Sequence, residues 1–411
     1  MRHQSLFTAK RLSLTLAATA TAYLAPTAHA VEMTAGDWKF TATGNVNAHY
    51  IVSACEDNVM PVDGGLACIT APGEEDTSSS VSNGLLPAAL AFTASTTQNG
   101  FDIAATFGFY PGISTNDGSP NLQQGADDLN TALGTTAIDM RQVFLTFGNE
   151  RMGEFMLGRN IGLFQSDAIL NDMTLLGVGA GGGNHAAPAN TSLGSIGLGY
   201  IYADWFAQIN YTTPDFNGFK LTVGVFDPLE QLGQPATPDS SPGVHAKVAY
   251  TMGEDLLYLS ASFLWQGHDG PTPETNFNSR AFDIGGKVKY AGFEFAGWYY
   301  NGKGVGTTGL FIDAVDALGN RRDSDGFLAQ LTYEFGKTKL GVNYGESNLD
   351  TASGEINPTL VNKNRKFTVG VYYKLTENLT LLAEGTDIKS ENHANQDNKA
   401  QTYNVGAFLA F

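Results

Sequence analysis

Gln401-Thr402-Tyr403-Asn404-Val405-Gly406-Ala407-Phe408-Leu409-Ala410-Phe411, the last eleven residues of the chain, carry the pattern that decides the fold. Every second position is apolar, and polar or small residues stand between most of them; the apolar positions are Tyr403, Val405, Ala407, Leu409 and Phe411. Successive side chains of a β-strand point to opposite faces of the sheet. The stretch therefore predicts a strand with one apolar face and one polar face.

The same alternation recurs in fifteen earlier segments. They span residues 38–50, 86–94, 101–109, 137–147, 153–159, 205–211, 219–225, 244–250, 257–265, 282–290, 293–299, 327–335, 340–344, 367–373 and 379–383. Together with the last stretch they predict 16 strands, to within two. Single-chain bacterial membrane barrels have an even number of strands, so the count agrees with an all-β transmembrane barrel.

The connections between these segments alternate in length. Short turns such as Asn99-Gly100, which is a strong hairpin signal, alternate with connections of roughly 10–35 residues, as in barrels with short periplasmic turns and long outer loops. A soluble β-sandwich is the competing interpretation, but its strands usually have about 5–6 residues and these runs have about 10. The pattern therefore favours an antiparallel up-and-down barrel.

The composition agrees with a membrane barrel. The chain has 48 Gly, 25 Phe and 16 Tyr and only 16% charged residues, whereas globular domains carry about 25% charged residues. After the N-terminal region no segment offers the roughly 18 uncharged apolar residues that a transmembrane helix needs. Glycine for tight turns and aromatic residues for interfacial girdles are typical of transmembrane barrels.

The first 30 residues are predicted to be a secretory signal peptide. Arg2, Lys10 and Arg11 give a positive start, an apolar stretch follows from Leu12, and Ala28-His29-Ala30 is a small-x-small cleavage site. A membrane helix is the alternative, but the apolar stretch is shorter than the roughly 20 residues that a span requires. Cleavage after Ala30 would leave a barrel domain over residues 31–411.

The charge and the chemistry-bearing residues exclude several function classes. The net charge of −18 argues against binding of nucleic acid. The sequence contains no Gly-x-Ser-x-Gly nucleophile elbow, and no histidine has a second histidine at metal-ligand spacing. We therefore expect no enzyme activity, no metal and no cofactor.

Cys55 and Cys68 are the only cysteines, and both lie in a polar segment predicted as the first outer loop, residues 53–83. In an exported protein such a pair predicts a disulfide, because thiols outside the cytosol are oxidised.

Several short stretches resemble the trimeric general porins of Gram-negative bacteria, and they follow the family's order along the whole mature chain. They are Arg141-Gln142-Val143-Phe144-Leu145, residues 153–160, Asn171-Asp172-Met173, residues 211–219, residues 373–378 and the terminal Phe411. The resemblance implies an outer-membrane homotrimer in membrane lipid, in which small hydrophilic solutes and ions diffuse passively through each barrel. Two alternatives remain open: a substrate-selective channel for an organic ion or sugar, and a barrel that acts as an enzyme or adhesin.

The resemblance also implies which residues shape the pore. A constriction loop over residues 160–194 would fold into the barrel, with Asp172 as its acidic tip and Asp167 as a second acid. Arg141 would be one rung of a basic ladder on the facing wall, and Arg159 would anchor the entry to the loop. Phe411 would end the strand that closes the barrel.

The alternation by itself gives Arg141 a different orientation. It places Arg141 in phase with Val143 and Leu145, whose side chains are predicted to face outward. An arginine that faces lipid near the bilayer midplane costs about 2–4 kcal/mol. Either a β-bulge shifts the phase of this strand, or the strand faces a neighbouring subunit; the resemblance favours the bulge.

The predicted loop contains no lysine or arginine between Asn160 and Gly194. The sequence also departs from the family at two basic positions, with Asn45 in place of one and no arginine near Ala203-Asp204. An acidic chain with such a loop predicts a mild preference for cations.

Overall fold

Sixteen long strands of the computed structural model pair with their sequence neighbours, and the ring closes because the last strand, β19, pairs with β2. The ring strands are β2 (Trp38–Asp57), β5 (Ala89–Gln98), β6 (Phe101–Pro111), β7 (Ile138–Asn149), β8 (Gly153–Ile161), β9 (Trp205–Thr212), β10 (Phe219–Phe226), β11 (Gly243–Met252), β12 (Leu257–His268), β13 (Phe277–Tyr290), β14 (Phe293–Lys303), β15 (Asp323–Phe335), β16 (Thr338–Leu349), β17 (Val361–Lys374), β18 (Leu379–Asn392) and β19 (Asp397–Ala410). The predicted closed antiparallel barrel of 16 strands is confirmed.

The structure describes residues 30–57, 61–70, 73, 75–113, 138–181, 191–229, 239–253, 256–270, 272 and 275–411. The predicted signal peptide, apart from Ala30, lies outside the described residues, as do residues 182–190 of the predicted constriction loop. Four small elements complete the described structure: β1 (Val31–Ala35), β3 (Ile69–Thr70), β4 (Thr77–Ser82) and the helix α1 (Ser166–Leu170). Within the described residues no helix has the length and apolar character to cross a membrane.

The two faces of the wall differ as the alternation predicts. Leu331 on β15 lies opposite Val342 on β16, and their exposed fractions are 44% and 40% on the outer face. Their neighbours Gln330 and Asn343 also lie opposite each other, and only 3% and 1% of their surfaces are exposed on the inner face. The barrel is therefore apolar outside, where lipid requires it, and polar inside.

The seam of the ring joins β2 to the end of β19 and to Phe411. The backbone N–H of Gly44 donates to the carbonyl of Phe411 at 2.8 Å, and the N–H of Phe411 donates back at 3.0 Å. β1 continues along the same edge of β2, with Val31 opposite Ala42. Phe411 thus extends the pairing of β19 up to the point where β1 takes over, and this stretch of β2 has no free edge.

The turn at Asn99 and Gly100 has the geometry that its sequence predicts. Both residues have positive φ angles, 51° and 81°. A two-residue hairpin turn of this kind needs φ above zero at both positions, which asparagine and glycine tolerate best. We call this end of the barrel the short-turn end and the opposite end the long-loop end.

The first outer loop differs from its predicted bounds of 53–83. β2 continues to Asp57, and β4 returns to pair with β2 from His49 to Ala54. The strand is longer than predicted because both edges of β2 find partners here, β19 on one side and β4 on the other. A disulfide joins Cys55 at the end of β2 to Cys68.

Apolar side chains also pack inside the ring, where long connections meet the wall. One cluster combines Leu66, Leu85, Leu198 and Tyr200 from connections with Leu328 from β15. A second cluster combines Phe164, Ile201 and Phe311 with wall residues, among them Phe226 and Leu264. Part of the lumen is therefore filled by folded chain.

Candidate pore constriction

The connection between β8 and β9 runs inside the barrel over its described residues, 162–181 and 191–204, which we call the infolded segment. Two wall side chains bind its backbone. The N–H of Gln165, just before α1, donates to Asp283 Oδ2 of β13 at 2.7 Å. The N–H of Met173 donates to Gln330 Oε1 of β15 at 2.9 Å. The segment thus leaves β8 and reaches wall strands five and seven places further round the ring.

Glu384 of β18 provides the anchor of the infolded segment that is most distant in sequence. Its Oε2 accepts the backbone N–H groups of Val178 and Gly179, both at 2.8 Å. The carboxylate is itself held by the Tyr372 hydroxyl, which donates to Oε1 at 2.6 Å, and by Asn404 Nδ2 at 3.1 Å. Hydrogen bonds to a charged acceptor are stronger than neutral ones. Glu384 therefore fixes the segment against the wall.

Gly177 lets the backbone approach this carboxylate. A Cβ atom at this position would lie 2.1 Å from Glu384 Oε1, closer than any real contact. The carbonyl of Gly177 also accepts the N–H of Leu85 at 2.7 Å, so the first outer loop packs on the same point. The glycine is needed here for space, since no side chain fits between the segment and the wall.

Asp172, the predicted acidic tip, is 3% exposed and lies in a hydrogen-bond network. Its Oδ1 accepts the N–H and hydroxyl of Thr174, both at 2.9 Å, and Asn343 Nδ2 at 3.3 Å. Its Oδ2 accepts the hydroxyls of Ser195 at 2.6 Å and Tyr200 at 2.9 Å. Burial, together with this carboxylate, raises the pKa of Tyr200, which keeps the hydroxyl a donor. Asp172 thus joins the two arms of the segment and does not present a free carboxylate to water.

Lys366 of β17 lies beneath this part of the segment. Its exposed fraction is 1%, and its Nζ has no hydrogen-bond partner among the described residues. The charges of Asp172 and Glu384 act on it. A buried ammonium is tolerated only beside compensating negative charge. Burial opposes a charge on Lys366, and the two carboxylates that hold the segment favour one.

Asp167, the predicted second acid, lies in α1 and forms an ion pair with the wall. Lys247 Nζ of β11 is 3.0 Å from Asp167 Oδ1, and the Tyr258 hydroxyl of β12 donates to Oδ2 at 2.8 Å. A basic wall residue does face a loop carboxylate, but it comes from β11 and the two groups are in contact. Only about a tenth of the Asp167 side chain is exposed, 10%.

Arg141 faces the interior because a β-bulge interrupts β7. Gly108 of β6 lies opposite Gln142, but Tyr110 lies opposite Asp139, so β7 contains one additional residue between these pairs. Arg141 and Gln142 are consecutive and both are buried. A bulge places two residues against one on the partner strand and so reverses the phase. The outward orientation given by simple alternation is therefore wrong, and the bulge is the reason.

The Arg141 guanidinium lies among aromatic residues near the end of the infolded segment. Its Nε donates to Asp139 Oδ2 at 2.6 Å, and its Nη1 donates to the Tyr202 hydroxyl at 3.3 Å. The guanidinium also lies over the Tyr110 ring, 5.5 Å from its centroid. Trp205 Nε1 donates to the same Tyr202 hydroxyl at 2.7 Å. These contacts make Arg141 part of a cavity whose lining is mostly apolar.

Arg159 lies near the entry to the infolded segment but on the outer face of the barrel. It lies opposite Val143 of β7 and Ala207 of β9, both exposed positions of the outer face. Burial raises the pKa of Asp204, at the far end of the segment, and the positive charge of Arg159 opposes this rise. Arg159 is therefore separated by the wall from Asp167, Asp172 and Arg141, which lie inside.

The sequence reasoning missed the wall residues that hold the infolded segment. Asp283 stands between the outward residues Phe282 and Ile284, and Lys247 stands between Ala246 and Val248. A charged residue at an inward phase, between two outward apolar residues, is the signal that could have found them. Within the described residues no group of three or more His, Cys, Asp or Glu is arranged to hold a metal ion.

Comparison with known proteins gives one family and several similar folds. A family model described as Gram-negative porin matches residues 15–393. The outer membrane channel DcaP of Acinetobacter baumannii is similar with a TM-score of 0.65 at 14% identity, covering 92% of this chain and 99% of that chain. OmpF of Salmonella typhi, in complex with daunomycin, gives 0.60 at 11% identity over 93% and 100%. OmpT of Vibrio cholerae gives 0.57 at 15% identity over 93% and 100%. A search of curated protein sequences gives no match.

Proposed function

This chain belongs to the Gram-negative porin family and forms an outer-membrane channel for passive diffusion, and from this premise we propose that the infolded segment is the constriction of that channel. Family and fold point to a channel and not to an enzyme. The lumen of a 16-stranded barrel is wide enough for water, so selectivity by size requires something that narrows it.

The single observation that supports this proposal is the attachment of the segment to distant parts of the wall. Asp283, Gln330 and Glu384 belong to three different strands, and each accepts a backbone N–H of the segment. A segment held at three points keeps its position while solutes pass. The width of the remaining passage then depends on these anchors.

Glu384→Ala tests the role of the segment. The substitution removes the acceptor of two buried N–H groups and leaves Lys366 with one counter-charge fewer, so the segment should leave the wall. We expect a larger single-channel conductance in planar bilayers and faster entry of large sugars in liposome swelling. Glu334→Ala is the matched control, because Glu334 also faces the lumen but pairs with Lys374. Equal conductance of both variants and the unchanged protein would contradict the proposal.

Mild cation preference is the second part of the proposal. The net charge of −18 and the acidic connections at the long-loop end support it. Asp167 and Asp172 contribute less than the resemblance implies, because one is paired and the other is buried. Reversal potentials in a KCl gradient test the preference, and clear anion selectivity of the salt current would contradict it.

A substrate-selective channel is the second candidate function, and the cavity beside Arg141 favours it. Tyr110, Tyr202 and Trp205 line this cavity, and the Tyr110 and Trp205 rings lie 5.9 Å apart. Aromatic rings beside a guanidinium suit an organic solute with an apolar body and a hydrogen-bond acceptor. Block of the conductance by micromolar benzoate, relieved in Tyr202→Phe, would favour this function over a general pore.

Homotrimer assembly and export are also part of the proposal. Arg159 on the outer face supports a neighbouring subunit, because a charged side chain is costly against hydrocarbon. Native mass spectrometry of detergent-extracted protein tests the trimer, and a mass of one chain would contradict it. The N-terminal sequence of the mature protein tests removal of residues 1–30, with Val31 expected as the first residue.

A further inference from the structure

We infer that the short-turn end of the lumen carries a binding site for small multivalent anions, formed by inward lysines on β10–β17. We call this set the lysine wall: Lys220, Lys247, Lys287, Lys289, Lys339 and Lys374. The inference rests on the channel function and adds a ligand class for the short-turn end of the lumen.

The β11 and β13 lysines lie on the inner face of the wall, as one contact with the infolded segment and the strand register indicate. Lys247 is in contact with Asp167, which lies inside the ring. Lys287 lies opposite Tyr258, whose hydroxyl donates to the same Asp167 carboxylate. Lys289 is two residues further along β13, and side chains two apart share a face of a strand.

The remaining lysines face inward by the same reasoning. Lys339 of β16 lies over the Tyr372 ring, 4.9 Å from its centroid, and the Tyr372 hydroxyl reaches the buried Glu384. Lys374 is two residues beyond Tyr372 on β17. Lys220 is two residues before Thr222, and Thr222 lies opposite the inward Lys247. Five of the six lysines lie within five residues of the short-turn end of their strands, and Lys247 is the sixth residue from that end.

The lysine wall is positive although the chain is acidic. The strands β14 and β15 contribute two inward glutamates near this end, Glu294 and Glu334, and Glu154 of β8 interacts with Lys220, so six lysines and three glutamates leave a local charge of +3. Asp167 reduces this to +2. Each of the first two glutamates binds one lysine, with Lys289 3.3 Å from Glu294 and Lys374 3.0 Å from Glu334.

These ion pairs are accessible to water and can be exchanged. The exposed fraction of the Lys289 side chain is 42% and that of the Lys374 side chain is 50%. Solvent-exposed pairs of this kind contribute little, so a dissolved anion competes with the glutamates at small cost. Lys339 interacts with the charges of both ion pairs, Lys289–Glu294 and Lys374–Glu334. The five groups therefore form one cluster.

The cluster favours an anion with two or more charges. The Coulomb energy is proportional to the product of the charges, and a multivalent anion can contact two ammonium groups at once. Chloride gains one weak contact that salt screens. Phosphate and carboxylate groups on a small flexible solute provide the required chemistry, because lysine binds them as a point charge from several directions.

The described connections at the opposite end of the barrel are acidic, which makes the site side-specific. In the described connections at the long-loop end, outside the infolded segment, ten acidic residues accompany two basic ones, Arg321 and Arg322. The acidic residues are Asp63, Glu75, Asp76, Asp227, Asp239, Asp269, Asp313, Asp316, Asp350 and Glu355. An anion is repelled at this end and attracted at the short-turn end.

Inorganic pyrophosphate is the probe for the decisive experiment. Single channels are recorded in 0.1 M KCl, where the screening length is about 10 Å, and pyrophosphate is added to each chamber in turn. Ser353 is exposed in the connection between β16 and β17 at the long-loop end. A Ser353→Cys variant that reacts with an impermeant thiol reagent added to one chamber identifies that chamber as the long-loop side. We expect pyrophosphate to reduce the conductance from the short-turn side, at a concentration about tenfold lower than from the long-loop side.

A triple variant tests the lysine wall; it combines Lys289→Gln, Lys339→Gln and Lys374→Gln. We expect it to need about ten times more pyrophosphate for the same block, since each lost charge–charge contact at an exposed site contributes modestly. The matched control combines Lys303→Gln, Lys363→Gln and Lys399→Gln, which remove the same charge from the long-loop ends of strands. The control should keep the full block. Equal block in both triple variants, or equal block from both sides, would overturn the inference.

The outcomes separate this inference from the proposed function. A protein that gives bilayers no conductance contradicts the channel itself. A protein that conducts KCl but is not blocked by pyrophosphate from either side keeps the channel and overturns the anion site. Heat-modifiable migration on gels confirms that each triple variant is a folded barrel before its conductance is compared.

Discussion

The barrel wall and the infolded segment reach their positions by different means. Apart from the closing pair of β19 and β2, each wall strand bonds to the ring strands next to it in sequence, as β15 does with β16 across a turn of two residues. The infolded segment bonds instead to residues far along the chain: Met173 and Gln330 are 157 positions apart, and Val178 and Glu384 are 206 apart. The wall is thus specified by a repeated pattern, and the segment by a few individual side chains. The wall should therefore be sensitive to changes on its outer face, and the segment to changes at its anchors.

Val369→Lys should have the largest effect, and it concerns only the wall. Val369 is 50% exposed on the outer face of β17, and a lysine facing lipid costs about 2–4 kcal/mol near the bilayer midplane. Urea unfolding of the protein in lipid vesicles should show this loss. Val369→Leu is the control and should unfold like the unchanged protein. A neutral result for Val369→Lys would mean that this face does not contact hydrocarbon.

Gly177→Ala should affect the segment and leave the wall intact. The added Cβ would lie 2.1 Å from Glu384 Oε1, and overpacking of this kind costs about 1–3 kcal/mol. We expect a larger single-channel conductance with unchanged strand content by circular dichroism. Gly267→Ala is the control, because its Cβ would meet its nearest neighbour at 3.5 Å, an ordinary contact. If both variants conduct alike, Gly177 does not position the segment.

Acid should loosen the rim at the long-loop end. Arg322 Nε lies 2.9 Å from Glu355 Oε2, and this pair joins two outer connections. Hydrogen bonds from Arg322 lower the pKa of Glu355 from 4.5 to about 2. A carboxyl whose pKa is lowered by folding stabilises the fold above its unfolded pKa and loses this contribution as the pH falls from about 4.5 toward 2. The contribution that disappears is about 1–2 kcal/mol.

Hydrogen exchange of residues 350–360 measures this effect. Exchange corrected for intrinsic rates should be faster at pH 3 than at pH 6 in the unchanged protein. In Arg322→Gln it should be fast at both values, because the lowered pKa of Glu355 depends on the arginine. Equal protection at both pH values in the unchanged protein would contradict the role of the pair.

Gly100→Ala should have the smallest effect. The φ angle of Gly100 is +81°, which an alanine adopts at a cost of about 1 kcal/mol. A Cβ atom there would meet nothing within 4 Å, so the cost is conformational alone. Thermal unfolding should begin slightly earlier, while the conductance stays unchanged. A change in conductance would show that short turns also influence the segment.

Much of the wall could be predicted because its pattern is local. The period-two runs led to sixteen strands, and Asn99-Gly100 led to a turn with the φ angles that the structure has. Arg141 shows where this reasoning ends: one additional residue in β7 reverses the phase. Alternation contains no information about a bulge, since the bulge depends on how β6 and β7 pair.

The pore-lining residues could be predicted only in part. Asp167 and Asp172 do lie inside the barrel, but their partners Lys247 and Asn343 belong to strands far from them in sequence. Arg159 was expected to anchor the entry to the loop, and it lies on the outer face of the wall. Resemblance transfers the identity of a residue but not the contacts that determine its exposure and charge environment.

The sequence by itself determined a barrel with an apolar exterior, because lipid imposes the same alternation on every strand and each strand shows it locally. Only the tertiary structure decided which charges face one another inside. The infolded segment could bind any inward polar residue that it can reach. It is held by Asp283, Gln330 and Glu384 because ring closure brings these three distant positions within hydrogen-bond distance of its backbone.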